Sequence, residues 1–527
     1  MPVFGPVLGI EGTAWNLSAA VFDTSLRALC SRPYKPVQGG IHPREAAQHH
    51  ASEMRSVISR VLSDFGDTSS IEGVAFSIGP GLGPCLRTVA TASRSLSMAL
   101  DVPLVGVNHC VAHVEIGRYA TGCNDPVTLY ASGANTQVIG YLKSRYRIFG
   151  ETLDIGLGNA LDKFARSKGL PHPGGPIIEE LAGKGSYIAL PYTVKGMDLA
   201  FSGLVSAAKE CKGPIEDVCN GLQETAFAMC AEVTERALAH SGKDEVLLVG
   251  GVGANRRLRD MLQVMAEERG AAFHVPDSGF LGDNGAMIAY TGRVMLEHGI
   301  STPLATSHVN PSFRVDQVDV AWRAGETTPS VPAHQVGRTT AIGAEAVVTI
   351  GLHEVCKERG GKRYRSPGLD RQLIRERTRT EARLISMARR AGVPTPVIRD
   401  ITDNSILMEK IEGPMLKECL EPHLVCEAGR MIGRLHRAGI IHGDLTTSNI
   451  LVRGGRCVLI DFGLAQVSSE VEPRGVDIHV FFQTLESMVE NHEALKACFI
   501  EGYYGEFDHA GEVVGREQEI LQRGRYL

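Results

Sequence analysis

The chain has 527 residues, of which 43% are hydrophobic, and a net charge of −6. Such a length exceeds a single core, so two to four domains are expected, and the charge excludes a uniformly basic coat for nucleic acid while leaving room for a local patch. Twelve cysteines are scattered without a C-x-x-C pair, a usage that fits reduced thiols and excludes a disulfide framework.

The start, "MPVFGPVLGIEGTAW", reads as a buried strand running into a turn and not as a signal peptide. No later run reaches the ~18 apolar residues of a membrane helix. Short apolar runs that end in glycine follow: "GVAFSIG" (73–79), "VPLVGV" (102–107), "VTLYASG" (127–133) and "EVLLVGGVG" (245–253). They alternate with helix-like stretches at 44–64, 87–100, 220–240 and 254–268. Strands alternating with helices predict an α/β fold for this half. Four of its turns are rich in glycine, at 9–15, 79–88, 130–137 and 250–259. There backbone amides can approach a phosphate closely, although structural turns share the same composition.

His109 and His113, in "NHCVAH", are four residues apart. That spacing sets both imidazoles on one helix face, as in zinc peptidases of the H-E-x-x-H type. Cys110 stands where the peptidase glutamate would be. Buried packing is the alternative for the pair. Asp283, in "FLGDNGAMIAY", precedes a helix, where a carboxylate serves either as an N-cap or as a further ligand.

Residues 323–340, rich in Pro, Thr and Gly, read as a linker region. The domains expected are therefore 1–325 and 338–527, with 326–337 between them. In the second, "IIHGDLTTSNILVRGGRCVLIDFGLA" (440–465) matches a kinase catalytic loop, H-x-D-x-x-x-x-N, followed by D-F-G. Asp444 is the candidate catalytic base or orienting carboxylate, with Asn449 and Asp461 the candidate Mg2+ ligands. Upstream, Ile342, Gly343, Ala344, Glu345, Ala346, Val347, Val348, Thr349 and Ile350 occupy the place of the nucleotide-covering loop without its G-x-G-x-x-G pattern. Lys357 is placed to reach the ATP phosphates, and Glu381 is its candidate helix partner. No A-P-E follows D-F-G and there is hardly any activation segment, so generic protein phosphorylation is in doubt. Residues 359–390 hold eleven Lys and Arg against three Asp and Glu, which suits either a solvated helix face or a phosphate-backbone patch. The chain closes on a basic tail, "RGRYL" (523–527).

The ordered set "GIEGTA", "GPGLGPCLR", "NHCVAH", "YASGANTQ", "LDKFAR", "HPGGPIIE", "FSGL", "GGVGANRRLR" and "GDNGAMIA" closely resembles the universal tRNA threonylcarbamoyladenosine transferases, once labelled O-sialoglycoprotein endopeptidases. The second half resembles the small RIO-like atypical kinase of the KEOPS complex, and the union of the two resembles an archaeal fusion of that complex's core. The resemblance implies an actin/sugar-kinase/Hsp70-type α/β first half, built of two ribonuclease-H-like lobes. It implies an α+β, two-lobed, small protein-kinase-like second half. By the same resemblance His109, His113, Tyr130 and Asp283 hold one Fe2+ or Zn2+. Tyr130, Ala131, Ser132, Gly133 and Ala134 form the loop for threonylcarbamoyl-AMP, with Asp162, Gly175, Glu179 and Asn255 at its nucleotide part. Ala134 replaces a glycine that many members carry.

The implied activity is transfer of threonylcarbamoyl to the adenosine beside the anticodon of tRNA, regulated by an ATP- and Mg2+-dependent kinase or ATPase. The implied partners are tRNA, threonylcarbamoyl-AMP, ATP and small KEOPS subunits, in the cytoplasm and off the membrane. A metallopeptidase, or a non-catalytic actin-like ATPase scaffold, remains the alternative.

Overall fold

A computed structural model describes residues 4–36, 40–324, 340–343, 345–486 and 488–523. The expected linker at 326–337, Ala344 and residues 524–527 of the basic tail lie outside the described residues. The chain divides into two compact units, Met1–Pro332 and Ala333–Leu527.

The first unit uses one sheet topology twice. Its first lobe runs β1 (Val7–Glu11), β2 (Asn16–Phe22), β3 (Leu26–Pro33), α1 (Pro43–Phe65), β4 (Gly73–Gly79), α2 (Gly83–Leu100), β5 (Leu104–Asn108) and α3 (His109–Thr121). The sheet order is β3-β2-β1-β4-β5, antiparallel from β3 to β1 and parallel from β1 to β5. The second lobe begins with β6 (Val127–Ala131), β7 (Thr136–Leu142) and β8 (Arg145–Glu151), followed by α4 (Leu157–Ser167) and α5 (Gly174–Ala182). A small hairpin, β9 (Val194–Lys195) and β10 (Asp198–Leu199), leads to α6 (Ser202–Glu210) and α7 (Ile215–Ser241). Then come β11 (Glu245–Val249), α8 (Arg256–Glu268), β12 (Ala272–His274), α9 (Ser278–Leu281) and α10 (Gly285–Glu297). The order β8-β7-β6-β11-β12 repeats that of the first lobe, with the same strand directions.

Every residue of β1 and β2 is buried. Helices α1 and α2 pack on that sheet, as does α10, which returns from the second lobe; a covered sheet needs near-continuous apolar strands and not alternating ones. The same logic accounts for α7, buried along almost its whole length behind the second sheet.

The second unit has an antiparallel sheet and a larger helical lobe. The sheet holds β13 (Thr340–Ile342), β14 (Val347–Ile350), β15 (Glu354–Glu358), β16 (Ile398–Ile401) and β17 (Ser405–Glu409), in the order β13-β14-β15-β17-β16. Helix α11 (Pro367–Arg390) crosses between β15 and β16. The helical lobe contains α12 (Pro422–Arg437), β18 (Ile440–Ile441), β19 (Ile450–Arg453), β20 (Arg456–Leu459), β21 (Gln466–Val467), α13 (Val471–Glu486), α14 (His492–Tyr504) and α15 (Ala510–Arg523). Val425, Ile432, Leu435, Phe481 and Phe499 lie at the centre of its core. Both expected fold classes are present. Seven residues, with β21 the one element among them, separate D-F-G from α13, in keeping with the near-absent activation segment. Among the described residues, no helix is long and apolar enough to cross a membrane.

Candidate active site

The histidine pair lies on a helix, as its spacing predicts. Asn108 caps α3 by accepting from the Cys110 and Val111 amides, which fixes the first turn and the aim of both imidazoles. Asp283 meets them from the other end of the unit. Its Oδ1 is 3.1 Å from His113 Nε2 and 3.4 Å from His109 Nε2. Ligand atoms from the three side chains all lie within 4.8 Å of one another. Asp283 is not the N-cap of α10: Asn284 takes that role, accepting from Met287 N at 3.0 Å, and so frees the preceding carboxylate. Two imidazoles and a carboxylate, converging in a buried place, are a donor set that fits iron or zinc. Tyr130 lies beside the cluster, 1% exposed, with its ring 4.9 Å from that of His113.

The electrostatics follow from the burial. Desolvation works against a charged His109, yet the Glu11 carboxylate, Tyr130 and Asp283 outweigh it and hold its pKa well above the ordinary value. Burial, together with the charge on His109, lowers the pKa of His113. For Asp283 burial opposes ionisation, but the two histidines hold its carboxyl far below the carboxylate range. Burial pushes the Cys110 thiol up to about 11, so it stays protonated and is no general base.

Tyr130 is the last residue but one of β6, so the chain passes directly from this cluster into the loop of residues 132–135. The loop joins β6 to β7 in an antiparallel hairpin. It is tied to the start of α4, where Gly158 N donates to Ser132 O at 3.0 Å and Asn159 N to Gly133 O at 2.9 Å. On its other side lies Gly250, whose φ is +93° and whose added Cβ would stand 2.3 Å from Ala131 O. Only glycine permits that approach.

Gly133 and Ala134 are exposed. The remaining nucleotide-side candidates come from α4, α5 and the start of α8, of which α4 and α5 pack together. Asp162 accepts from Gly174 N at 2.7 Å and Glu179 from Arg256 N at 2.8 Å. Asn255 caps α8 through Leu258 N and donates to Gln223. These polar side chains thus brace the turns. Gly175 differs: a Cβ there would meet nothing within 4 Å.

In the second unit the kinase-like residues converge. Lys357 Nζ donates to Glu381 at 2.8 Å and to Asp461 at 2.6 Å. Asp461 has a φ of +60° and accepts from Gly463 N at 3.2 Å. Although burial opposes it, the Lys357 ammonium holds its carboxyl at about 2. Asn449 Nδ2 donates to the Asp444 carboxylate at 3.0 Å. The strand β14 carries Val347, Val348, Thr349 and Ile350 beside β15. Gly343 N donates to Ala346 O within the preceding turn, and Glu345 pairs with Arg377 of α11. Ile342 ends β13.

Three residues of these sites escape sequence reasoning. Glu11 is fully buried, and its Oε2 lies 3.1 Å from His109 Nδ1. Its Oε1 accepts from Thr13 N at 2.7 Å and Thr13 Oγ1 at 2.6 Å. Arg359 is 3% exposed and pairs with the same Glu381 that holds Lys357. Among the described residues its Nε and Nη1 find no partner. Asp477, 1% exposed, accepts from His442 N and Gly443 N and so anchors the start of the H-x-D loop. A carboxylate at a strand end, "GIEG", was the one visible signal for Glu11; Arg359 is hidden in a basic run and Asp477 in a helix.

Known proteins bear on both units. A family model described as "TsaD: tRNA N6-adenosine threonylcarbamoyltransferase" matches residues 27–290, and a RIO domain model matches residues 354–477. A probable bifunctional tRNA threonylcarbamoyladenosine biosynthesis protein of Methanoculleus marisnigri is 70% identical over 529 residues, covering 100% of this chain and 99% of its own. Its counterpart from Methanospirillum hungatei is 65% identical over 523 residues, covering 99% of each. Among solved structures, T. kodakarensis HypF aligns over 56% of this chain and 48% of its own, at 14% identity and a TM-score of 0.40, too distant to carry an argument.

Proposed function

The chain belongs to the bifunctional tRNA threonylcarbamoyladenosine biosynthesis proteins, which join a TsaD domain to a RIO kinase-like domain, and from that premise we propose a division of labour between its units. The first unit transfers the threonylcarbamoyl group of threonylcarbamoyl-AMP to the adenosine beside the anticodon in tRNAs that read codons beginning with A. The second binds ATP with Mg2+ and regulates the transfer as an atypical serine/threonine kinase or ATPase. Small KEOPS subunits join it in the cytoplasm, a dimerising subunit on the first unit and a regulator on the second. The observation that carries the reading is the convergence of His109, His113 and Asp283 beside the strand that leads into the Tyr130–Ala134 loop.

A carbamoyl–phosphate anhydride is already activated, so the main task is placement. In this reading residues 131–134 hold the acyl-adenylate, and Asp162, Gly175, Glu179 and Asn255 border its nucleotide part. The adenine N6 amine attacks the carbamoyl carbon to form the C–N bond. The bond from that carbon to the phosphate oxygen breaks, AMP departs with its electron pair, and the amine releases one proton. Fe2+ or Zn2+ held by His109, His113, Tyr130 and Asp283 would polarise the carbamoyl carbonyl and stabilise the developing oxyanion. Glu11 fixes His109, because an imidazole that donates from Nδ1 presents Nε2 as a ligand. Peptide hydrolysis would need a free carboxylate base. Glu11 is engaged by Thr13 and His109, and Cys110 is protonated.

In the second unit Lys357 is the phosphate-binding cation, Asp461 and Asn449 the Mg2+ ligands and Asp444 the base or orienting carboxylate. Its function is tested separately: Asp461→Ala should abolish ATP turnover, and turnover that persists would belong elsewhere. For the first unit, the full chain is incubated with tRNA, ATP, threonine, bicarbonate, the adenylate-forming synthase and KEOPS subunits. Threonylcarbamoyladenosine in the digested tRNA supports the reading, whereas AMP release without it favours a scaffold.

A further inference from the structure

One strongly charged surface has no part in either site. Arg371, Arg375, Arg379 and Arg383 recur at every fourth residue of α11, and all four are exposed. They climb one side of the helix at about 6 Å per step, over about 18 Å. The opposite side, with Leu369, Leu373, Leu384 and Ile385, is buried, so packing already fixes the helix. Like charges four residues apart repel and weaken a helix, which leaves the ladder without a structural purpose. Among the described residues its ion pairs are with Asp403, whose Oδ1 is 3.4 Å from Arg375 and 3.3 Å from Arg379, while Glu376 of the same helix engages Gln372. Among the described residues Arg371 and Arg383 make no ion pair. Two of the four guanidiniums thus share a carboxylate and two are left to solvent, on a chain whose net charge is −6.

We propose that this arginine ladder binds the phosphate backbone of the tRNA, an inference that rests on the reading of tRNA as the first unit's substrate. A polyanion with regularly spaced charges matches the ladder in sign, spacing and length. Guanidinium forks suit phosphate oxygens, which they can engage with two parallel hydrogen bonds, where ammonium groups act as point charges. Long exposed side chains on one helix face position a backbone and read no sequence. The ladder therefore contributes affinity and salt dependence common to all tRNAs and leaves the choice of adenosine to the first unit.

The test uses the full-length chain and unmodified tRNA, with affinity measured across about 0.05–0.3 M KCl. Replacement of the four arginines by glutamine (R371Q, R375Q, R379Q and R383Q together) is expected to weaken binding at least tenfold. It should also flatten the log K against log salt slope by about 3, since each lost phosphate contact removes roughly 0.7–0.9. The corresponding four-lysine chain should keep most of the slope. Should the four-glutamine chain fail to fold, R371Q with R383Q carries the same test with about half the effect. Unchanged affinity and slope would overturn the proposal, as would loss of a small acidic protein partner with tRNA binding intact. If the wild-type chain neither binds nor modifies tRNA, the substrate reading fails and the ladder's role with it; failure of the ladder alone leaves wild-type modification in place.

Discussion

Glu11 and His109 are 98 residues apart in the chain, yet the Glu11 carboxylate stands 3.1 Å from His109 Nδ1, with both side chains buried. The contact determines which face of the imidazole is left for a ligand. Glu11→Gln keeps the shape but removes the charge that orients the ring. Metal affinity should fall about 10- to 100-fold, read as metal retained per chain during titration with a chelator. Retention equal to wild type would show that Glu11 does not support the site.

Two glycines separate binding from folding. Gly175→Ala adds a methyl to open space, so stability should hold while the KM for threonylcarbamoyl-AMP rises several-fold. Gly250→Ala drives a methyl into Ala131 O at a φ of +93°, which should cost about 2 kcal/mol or more of stability. Urea titrations and steady-state kinetics on both variants check the contrast. A Gly175→Ala chain with wild-type KM would remove that residue from the site.

Lys357, Arg359, Glu381 and Asp461 balance two positive charges against two negative ones. In the proposed ATP-binding role, where Lys357 also engages the phosphates, Arg359 is left to help hold Glu381. Arg359→Met should therefore raise the KM for ATP about tenfold with a smaller change in kcat, and Arg359→Lys should recover part of the loss. Equal falls in kcat for both variants, at constant KM, would contradict this positioning role.

His50 supplies a pH signature for the first unit. It is buried, and burial together with the neighbouring His49 lowers its pKa to about 4. The unfolded chain then binds one more proton between pH 4 and 6.5, so stability rises with pH through that window and is lost as pH falls. The slope is about 1.4 kcal/mol per pH unit. Both tryptophans, Trp15 and Trp322, lie in the first unit, so tryptophan fluorescence in urea follows that unit alone. His50→Leu should remove this increment, and an unchanged slope would assign it to other groups.

The sequence made local features legible and left distant ones obscure. The four-residue spacing of His109 and His113 survives in α3 because both sit on one continuous helix. Asp283 could not be decided locally, since a cap and a ligand look alike ahead of a helix; the side chain of the next residue, Asn284, resolves it. Glu11 and His109 meet only because β1 and β5 flank β4 in one sheet. Arg359 looks like any arginine in a basic run until folding buries it beside Glu381. The duplicated lobes came from the family resemblance, because the two sheets share strand order and not a visible repeat.

The most direct test of the transfer reading supplies preformed threonylcarbamoyl-AMP and tRNA to the full chain, with KEOPS subunits present. Metal content and modified adenosine are measured together for wild type, His109→Ala with His113→Ala, and Asp283→Ala. Wild type is predicted to hold about one Fe2+ or Zn2+ per chain and to form product. Each variant, folded by its tryptophan fluorescence, should lose the metal and at least about 100-fold in rate. Full product formation by a folded, metal-free variant would contradict the account.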